Sequence, residues 1–250
     1  MSAVLVVRDC ATQLPATLVA LAFCDEIVVV DSGSRDDTVA VARAWGARVI
    51  EEPWRGFGPQ KQFAIEQAVY DWVLCVDSDE VVSTSLCASI EDILRAPDFH
   101  VYEIGRRSLF FGRYLRYGEG RADYSARLFN RGYAKWSEDR VYEKVITLSR
   151  VGRAKGDLLC GEGDTLTAAL KRQDEFSTLA ARLAVGEGES SGGVKVIVSP
   201  AFRFIKNYFF RLGFMDGVPG LVFALMGAYS SFLKHAKMVE LQRTGNGEKL

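Results

Sequence analysis

The stretch Trp72-Val73-Leu74-Cys75-Val76-Asp77-Ser78-Asp79-Glu80 decides the fold class. An apolar run stops abruptly in three carboxylates. A buried strand ending in an Asp-x-Asp step sets two carboxylates at the edge of a sheet, where hard cations such as Mg²⁺ or Mn²⁺ find oxygen ligands and share a phosphate. Upstream lies a second run of the same shape, Glu26-Ile27-Val28-Val29-Val30-Asp31-Ser32-Gly33-Ser34. Two hydrophobic strands, each delivering an Asp at its C-terminal end, predict a nucleotide site on an open α/β sheet.

The flanking sequence agrees. Residues 3–7, 26–30, 47–50 and 72–76 read as strands, and residues 14–23, 36–44 and 60–68 as helices. Strand and helix alternate with short connections, which predicts a parallel sheet covered on both faces. After Pro97 the pattern changes: residues 101–104 and 125–129 read as strands around an aromatic, basic loop at 110–118. Residues 186–193, rich in Gly, Ser and Glu, read as a flexible connection.

With 250 residues, 48% hydrophobic and 25% charged, the chain is one large domain or a domain with an appendage. Thirty-one basic and 32 acidic residues give a net charge of −1, which argues against nucleic acid as a partner. Five cysteines without a CxxC pair, and no secretory signal, predict reduced thiols in the cytoplasm. Two histidines are too few for a histidine-rich zinc site. No GxGxxG follows the first strand, so a nicotinamide-dependent oxidoreductase is a weak alternative.

Residues 195–237 differ in composition. Six Lys or Arg stand against one acidic residue, Asp216, and Phe202, Phe204, Ile205, Tyr208, Phe209, Phe210, Leu212 and Phe214 crowd one stretch. The charge-free run at 218–233 is shorter than the ~20 residues of a membrane-spanning helix. The tail is expected to lie at a membrane surface, with cations at headgroup level and aromatics below. A helical hairpin packed on the main domain, or on a second subunit in a homo-oligomer, is the plainer alternative.

Several segments together resemble family 2 glycosyltransferases of the GT-A fold, nearest to bacterial lipopolysaccharide core β-1,4-glucosyltransferases. They are Val30-Asp31-Ser32-Gly33-Ser34-x-Asp36-x-Thr38, Pro53-Trp54-x-Gly56-Phe57-Gly58-x-Gln60-Lys61, Asp77-Ser78-Asp79-Glu80, Asp123-Tyr124-x-x-Arg127-Leu128-Phe129-x-Arg131, Lys155-Gly156-Asp157-Leu158-Leu159 and Tyr208-Phe209-x-x-Leu212-Gly213-Phe214-x-Asp216-Gly217. The resemblance runs over nearly the whole chain. It implies a Rossmann-like open mixed sheet with helices on both faces over residues 1–165, followed by a helical C-terminal region over 166–250.

The activity it implies is inverting transfer of a hexose, glucose first, from a UDP-sugar to a lipopolysaccharide core or related membrane-held saccharide. Such an enzyme would be peripheral on the inner face of the cytoplasmic membrane. Transfer to a polyprenyl phosphate or another glycolipid, and a non-catalytic nucleotide-sugar-binding role, are the alternatives. Asp31 would contact the uridine, with Ser32 and Lys61 nearby. Asp77 and Asp79, with Ser78 between them, would hold the nucleotide sugar and a divalent metal, Mn²⁺ or Mg²⁺. Inversion needs a carboxylate base opposite the diphosphate. Glu143 leads, Asp123 is its rival and Asp139 comes third.

Two positions depart from the family pattern. Tyr142 precedes Glu143 where a His is usual, and Cys160 follows Gly-Asp-Leu-Leu where a His could ligate metal. A thiolate suits Mg²⁺ or Mn²⁺ poorly, while an ordinary small core residue is the simpler reading of Cys160. Arg106, Arg107, Arg113 and Arg116 face either an anionic ligand or solvent. Trp54, Phe57 and Trp136 either stack on a ligand or pack. His100 is assigned no role.

Overall fold

The computed structural model describes residues 1–120, 123–139, 142–160 and 166–244, apart from the side chains of Ser108 and Ala168. The elements run β1 (Ser2–Val7), α1 (Leu14–Ala20), β2 (Glu26–Asp31), α2 (Thr38–Ala44), β3 (Arg48–Glu51), α3 (Phe57–Glu66), β4 (Trp72–Cys75), β5 (Glu80–Val82), α4 (Thr84–Arg95), β6 (Val101–Phe110), β7 (Arg113–Tyr114), β8 (Asp123–Asn130), β9 (Ala134–Trp136), β10 (Val145–Thr147), β11 (Val151–Cys160), α5 (Leu166–Gly186), α6 (Gly193–Ile205) and α7 (Gly217–Thr244).

The main sheet is ordered β3-β2-β1-β4-β8-β6-β11-β5. The first four strands are parallel, with Val4 opposite Val28 on one side and Cys75 on the other. From β8 onward the pairings β4–β8, β8–β6 and β11–β5 are antiparallel. The sheet is therefore mixed, as the resemblance implies, and the strands of the first 76 residues form its parallel part, as their alternation predicts. Most of the antiparallel half is built by the chain after Pro97, with β5 from before it at the edge, and among the described residues no crossover helix joins β6 to β8.

Alternation along the central strands explains the two-sided core. Leu5, Val29 and Leu74 pack on one face with Leu14 and Leu18 of α1 and Leu86 and Ile90 of α4. Val4, Val28, Val30 and Val73 pack on the other with Ala64 and Ile65 of α3, Phe129 and Trp136. Truncating buried Leu5, Leu74, Leu86 or Ile90 to Ala costs about 2–5 kcal/mol.

The chain divides into two compact units: Met1–Arg107 with Ala122–Glu162, and Ser108–Arg121 with Gly163–Leu250. A sequence boundary at 165/166 falls outside the described residues. The aromatic, basic loop belongs to the second unit, with the C-terminal helices, and not to the sheet unit where the sequence reading put it. Buried Asp216 accepts hydrogen bonds from the backbone N–H of Arg116 (3.0 Å) and Tyr117 (2.8 Å). Glu119 accepts from Arg203 Nε and Asn207 Nδ2, both at 2.6 Å. The charge-free run 218–233 is no separate element; it lies inside the 28-residue α7.

Candidate active site

Strand β1 lies between β2 and β4, so their carboxyl ends emerge side by side. A cavity of about 420 Å³ opens there, lined by Val6, Val7, Arg8, Ser32, Trp54, Phe57, Lys61, Asp77, Ser78, Asp79 and Glu143. All of these belong to the first unit. Ser32 after β2 and the Asp77–Asp79 step after β4 thus line one cleft.

The two aspartates differ. Asp31 is 2% exposed, and it does not line the cavity. One carboxylate oxygen accepts from the backbone N–H of Gly33 (3.0 Å) and Ser34 (2.9 Å), and the other from the Ser34 hydroxyl. This closes a tight turn in which Gly33 takes φ 87°, a conformation favouring glycine. Asp31 shapes the turn, and Ser32 faces the ligand space. Gln60 of α3, fully buried, donates to Ser32 Oγ (3.3 Å) and to the Glu52 carbonyl (3.2 Å).

The Asp77–Glu80 step is an ionic network. Asp77 Oδ1 lies 3.2 Å from Lys61 Nζ and Oδ2 lies 3.2 Å from Arg127 Nη2. Glu80, fully buried, accepts from the Asp77 N–H at 2.9 Å. Its other oxygen sits 2.7 Å from Arg106 Nε and 3.6 Å from Arg127. Burial alone would raise the Asp77 pKa, but the charges of Arg127, Lys61 and Arg106 outweigh it and hold the group well below the usual carboxylate range. Glu80 moves the other way: burial, then the neighbouring Asp77 charge, push it up against the pull of Arg127 and Arg106. Asp79 is the least committed carboxylate of the step. Its side chain is a third exposed, at 33%, and among the described residues its ion-pair partner is Arg106, 4.0 Å away.

Glu143 lines the same cavity. It stands two residues before β10, whose hairpin with β9 is closed by Ser137 N–H to the Lys144 carbonyl (2.8 Å) and Lys144 N–H to Ser137 Oγ (3.2 Å). Gly58, in the first turn of α3, lets this backbone approach: a Cβ there would stand 2.1 Å from the Ser137 carbonyl oxygen. Tyr142 holds φ 62°, a strained left-handed conformation for a non-glycine residue, immediately before Glu143. Glu143 Oε1 lies 2.8 Å from Lys61 Nζ, so one ammonium joins Glu143 to Asp77 across the cavity. Lys61 also sits 4.8 Å over the ring of buried Trp136, which is therefore a packing residue.

Of the sequence-read candidates, Ser32, Lys61, Asp77, Ser78, Asp79, Glu143, Trp54 and Phe57 meet at this cavity. Asp31, Asp123 and Asp139 do not line it. Asp123 is exposed at the start of β8, in register with Arg106. Asp139 is exposed, and its carbonyl accepts from Gly58 N–H. Arg106 pairs with Glu80, Arg107 with Asp157 (2.9 Å) and Arg113 with Asp216 (3.4 Å), so these arginines hold carboxylates of this chain. Cys160 donates its thiol to the Arg107 carbonyl at 3.1 Å, and burial raises its pKa although Arg106 opposes this. It is a buried thiol, unsuited to a hard cation. Among the described residues no group of three His, Cys, Asp or Glu forms a metal cage. His100 stacks on Tyr133, with centroids 3.6 Å apart.

Sequence reasoning passed over Arg8 and the role of Arg127. Arg8 could have been found, because it follows β1 at the edge where Asp31 and Asp77 end their strands. Arg127 carries no such signal, since its partners are 50 and 47 residues away in the chain.

The pattern of glycosyl transferase family 2 matches residues 2–142. The chain belongs to this family. A lipopolysaccharide core biosynthesis glycosyltransferase of Rhizobium meliloti, LpsC, is 32% identical over 225 residues, 87% of this chain and 83% of that protein. An uncharacterised glycosyltransferase of Rickettsia typhi is 28% identical over 87% of this chain and 78% of its own length. Among solved structures, Staphylococcus aureus TarS 1-349 aligns over 98% of this chain and 91% of its own, at 13% identity and TM-score 0.47. Glucosyl-3-phosphoglycerate synthase of Mycobacterium tuberculosis, solved with Mn²⁺ and UDP, aligns over 44% of each chain at 25% identity and TM-score 0.36. As a family 2 glycosyltransferase the protein is an enzyme with the GT-A sheet described above and a helical C-terminal region.

Proposed function

We propose that this glycosyltransferase moves a hexose, glucose first, from a UDP-sugar to a lipopolysaccharide core or related membrane-held saccharide, with inversion at the anomeric carbon. One observation carries the reading: Glu143 and the Asp77–Asp79 step open on the same cavity with Lys61 between them. The similarity to a lipopolysaccharide core enzyme over most of both chains supports the acceptor class and a site of action at the cytoplasmic face of the membrane.

The diphosphate enters at the carboxyl ends of β1 and β4, where Arg8 and Lys61 supply positive charge. Trp54 and Phe57, 4.8 Å apart and edge to face, form the apolar wall for a sugar or base. Lys61 is shared by two carboxylates in the resting cavity, and an incoming diphosphate draws it away from Glu143. The freed carboxylate accepts the proton of the acceptor hydroxyl. That oxygen bonds to the anomeric carbon as the bond to the diphosphate oxygen breaks, and UDP departs. Asp79 would hold a Mn²⁺ or Mg²⁺ ion, and Asp77 would join it on leaving Lys61. When bound, that cation offsets the charge gathering on the leaving diphosphate.

The test is turnover of UDP-hexoses with Mn²⁺ and an extracted lipopolysaccharide acceptor, reading UDP release and the linkage of the new hexose. Glu143→Gln is expected to lower kcat about 10²–10⁴-fold while UDP-glucose still raises the melting temperature. If wild type and variant release UDP equally slowly while both bind it, the protein is a non-catalytic binder. If the hexose appears only on a polyprenyl phosphate, the acceptor assignment fails.

A further inference from the structure

We propose that the second unit carries a membrane-docking face, formed by the outward side of α6 and the turns at 209–215, that lies in the headgroup region of an anionic bilayer. The observation goes beyond the donor and acceptor chemistry and does not depend on it.

No residue of α6 is buried. Val194, Ile197, Val198, Ala201, Phe202 and Ile205 recur at three- and four-residue spacing and are all exposed, Val194 at 76% and Ile197 at 73%. At 3.6 residues per turn they cover an arc of roughly 140°. The opposite side is fastened within the unit: Ser199 bonds Ser231 (2.9 Å) and His235 (3.1 Å) of α7, and Arg203 bonds Glu119. The apolar arc therefore faces away from its own unit by construction. Past the helix Phe209, Phe210, Leu212, Phe214 and Met215 are exposed as well, with Phe210 at 78%. Rings and aliphatics in such number are far more than scattered surface apolar residues.

Charge chooses the occupant. Lys195 and Lys206, eleven residues apart, border the same edge of the apolar arc, and Arg211 follows; all three are exposed. Residues 190–215 contain no Asp or Glu. Cations that flank an apolar stripe reach anionic headgroups while the stripe enters the acyl boundary. A twofold pairing of two copies through this face would gather six such cations, three from each, with no carboxylate in the segment to answer them. Helix α6 has 13 residues and is about 20 Å long, too short for the ~30 Å hydrocarbon core. It lies in the interface. The stretch Gly213–Thr244 is long and apolar enough to cross a membrane, yet Ala224, Met226, Ser230, Ser231 and Met238 of α7 are buried.

Flotation of the full chain with vesicles tests this. Phosphatidylcholine vesicles with about one-third phosphatidylglycerol are expected to carry the protein, and neutral vesicles at least tenfold less. Phe202→Asp with Phe210→Asp is expected to lower the bound fraction about tenfold, with the melting temperature and UDP release in solution unchanged. Lys195→Gln, Lys206→Gln and Arg211→Gln together are expected to abolish the preference for anionic vesicles. The proposal is overturned if wild type floats with neither vesicle, or if the Phe variant floats like wild type. It also fails if wild type is a dimer without lipid that the Phe variant dissociates, or if alkaline carbonate does not release the bound protein, which would mark a spanning helix. Loss of UDP release in solution would speak to the catalytic reading alone.

Discussion

Asp31 and Asp77 stand at equivalent places, one strand to either side of β1, and are held in opposite ways. Asp31 is satisfied by the backbone and hydroxyl of its own turn, within three residues. Asp77 is satisfied by Lys61 and Arg127, 16 and 50 residues away in the chain. A carboxylate bonded to its own turn shapes that loop. One held by cations of other elements, Lys61 of α3 and Arg127 of β8, can exchange partners when a phosphate arrives. Equal positions in the topology therefore give a scaffold on one side and a responsive site on the other.

The sharpest way to break this contrast is Arg127→Met. Arg127 is 7% exposed and stands between Asp77 and fully buried Glu80. Its loss leaves two carboxylates facing each other with less compensation, an expected cost of about 3–5 kcal/mol in urea unfolding. A cost below about 1 kcal/mol would mean that the network does not hold the strand end, and the contrast with Asp31 would be lost. Asp31→Ala is expected to cost less, about 1–3 kcal/mol, from the two N–H groups and the hydroxyl it leaves without an acceptor. Its donor KM should rise as Ser32 loses its setting, with kcat changed little. A large fall in kcat with an unchanged KM would place Asp31 among the reacting groups instead.

The same contrast governs what the sequence could tell. The parallel half of the sheet was legible because each strand is an apolar run bounded by turn residues, and Asp31 and Asp77 mark its functional edge by position alone. Lys61 and Glu143 were legible only through the resemblance to a family, since 82 residues separate the two ends of their ion pair. Glu80 read as one more acidic residue in a turn, yet it is the fully buried member that binds Arg106 and Arg127. The loop at 108–120 read as part of the sheet domain because nothing in its composition points to Asp216 and Arg203, more than 80 residues downstream, as its partners. Local chemistry writes itself in short spacing; a buried ion network does not.

The smallest expected effect is the most specific to Asp77. Its pKa in the folded chain lies well below the ordinary carboxylate value of about 3.9 because Arg127, Lys61 and Arg106 surround it. A depressed pKa contributes stability that is complete above the unfolded value and is lost as pH falls below it. Wild type should therefore lose more stability than Asp77→Asn between about pH 5 and pH 3, and the gap between them should narrow by about 1 kcal/mol. Glu80 works in the opposite sense. Raised by burial and by the Asp77 charge, it favours the fold most where it is protonated, and that contribution fades as pH rises through its ordinary value. Removing the Asp77 charge takes away one cause of the Glu80 shift, so the variant should also lose less stability than wild type between about pH 4 and pH 6. Urea midpoints of the two proteins measured across pH 3–7 separate these contributions. A gap that stays constant over the whole range would show that Asp77 is not held by charge, and that its bond to Lys61 is as passive as the turn around Asp31.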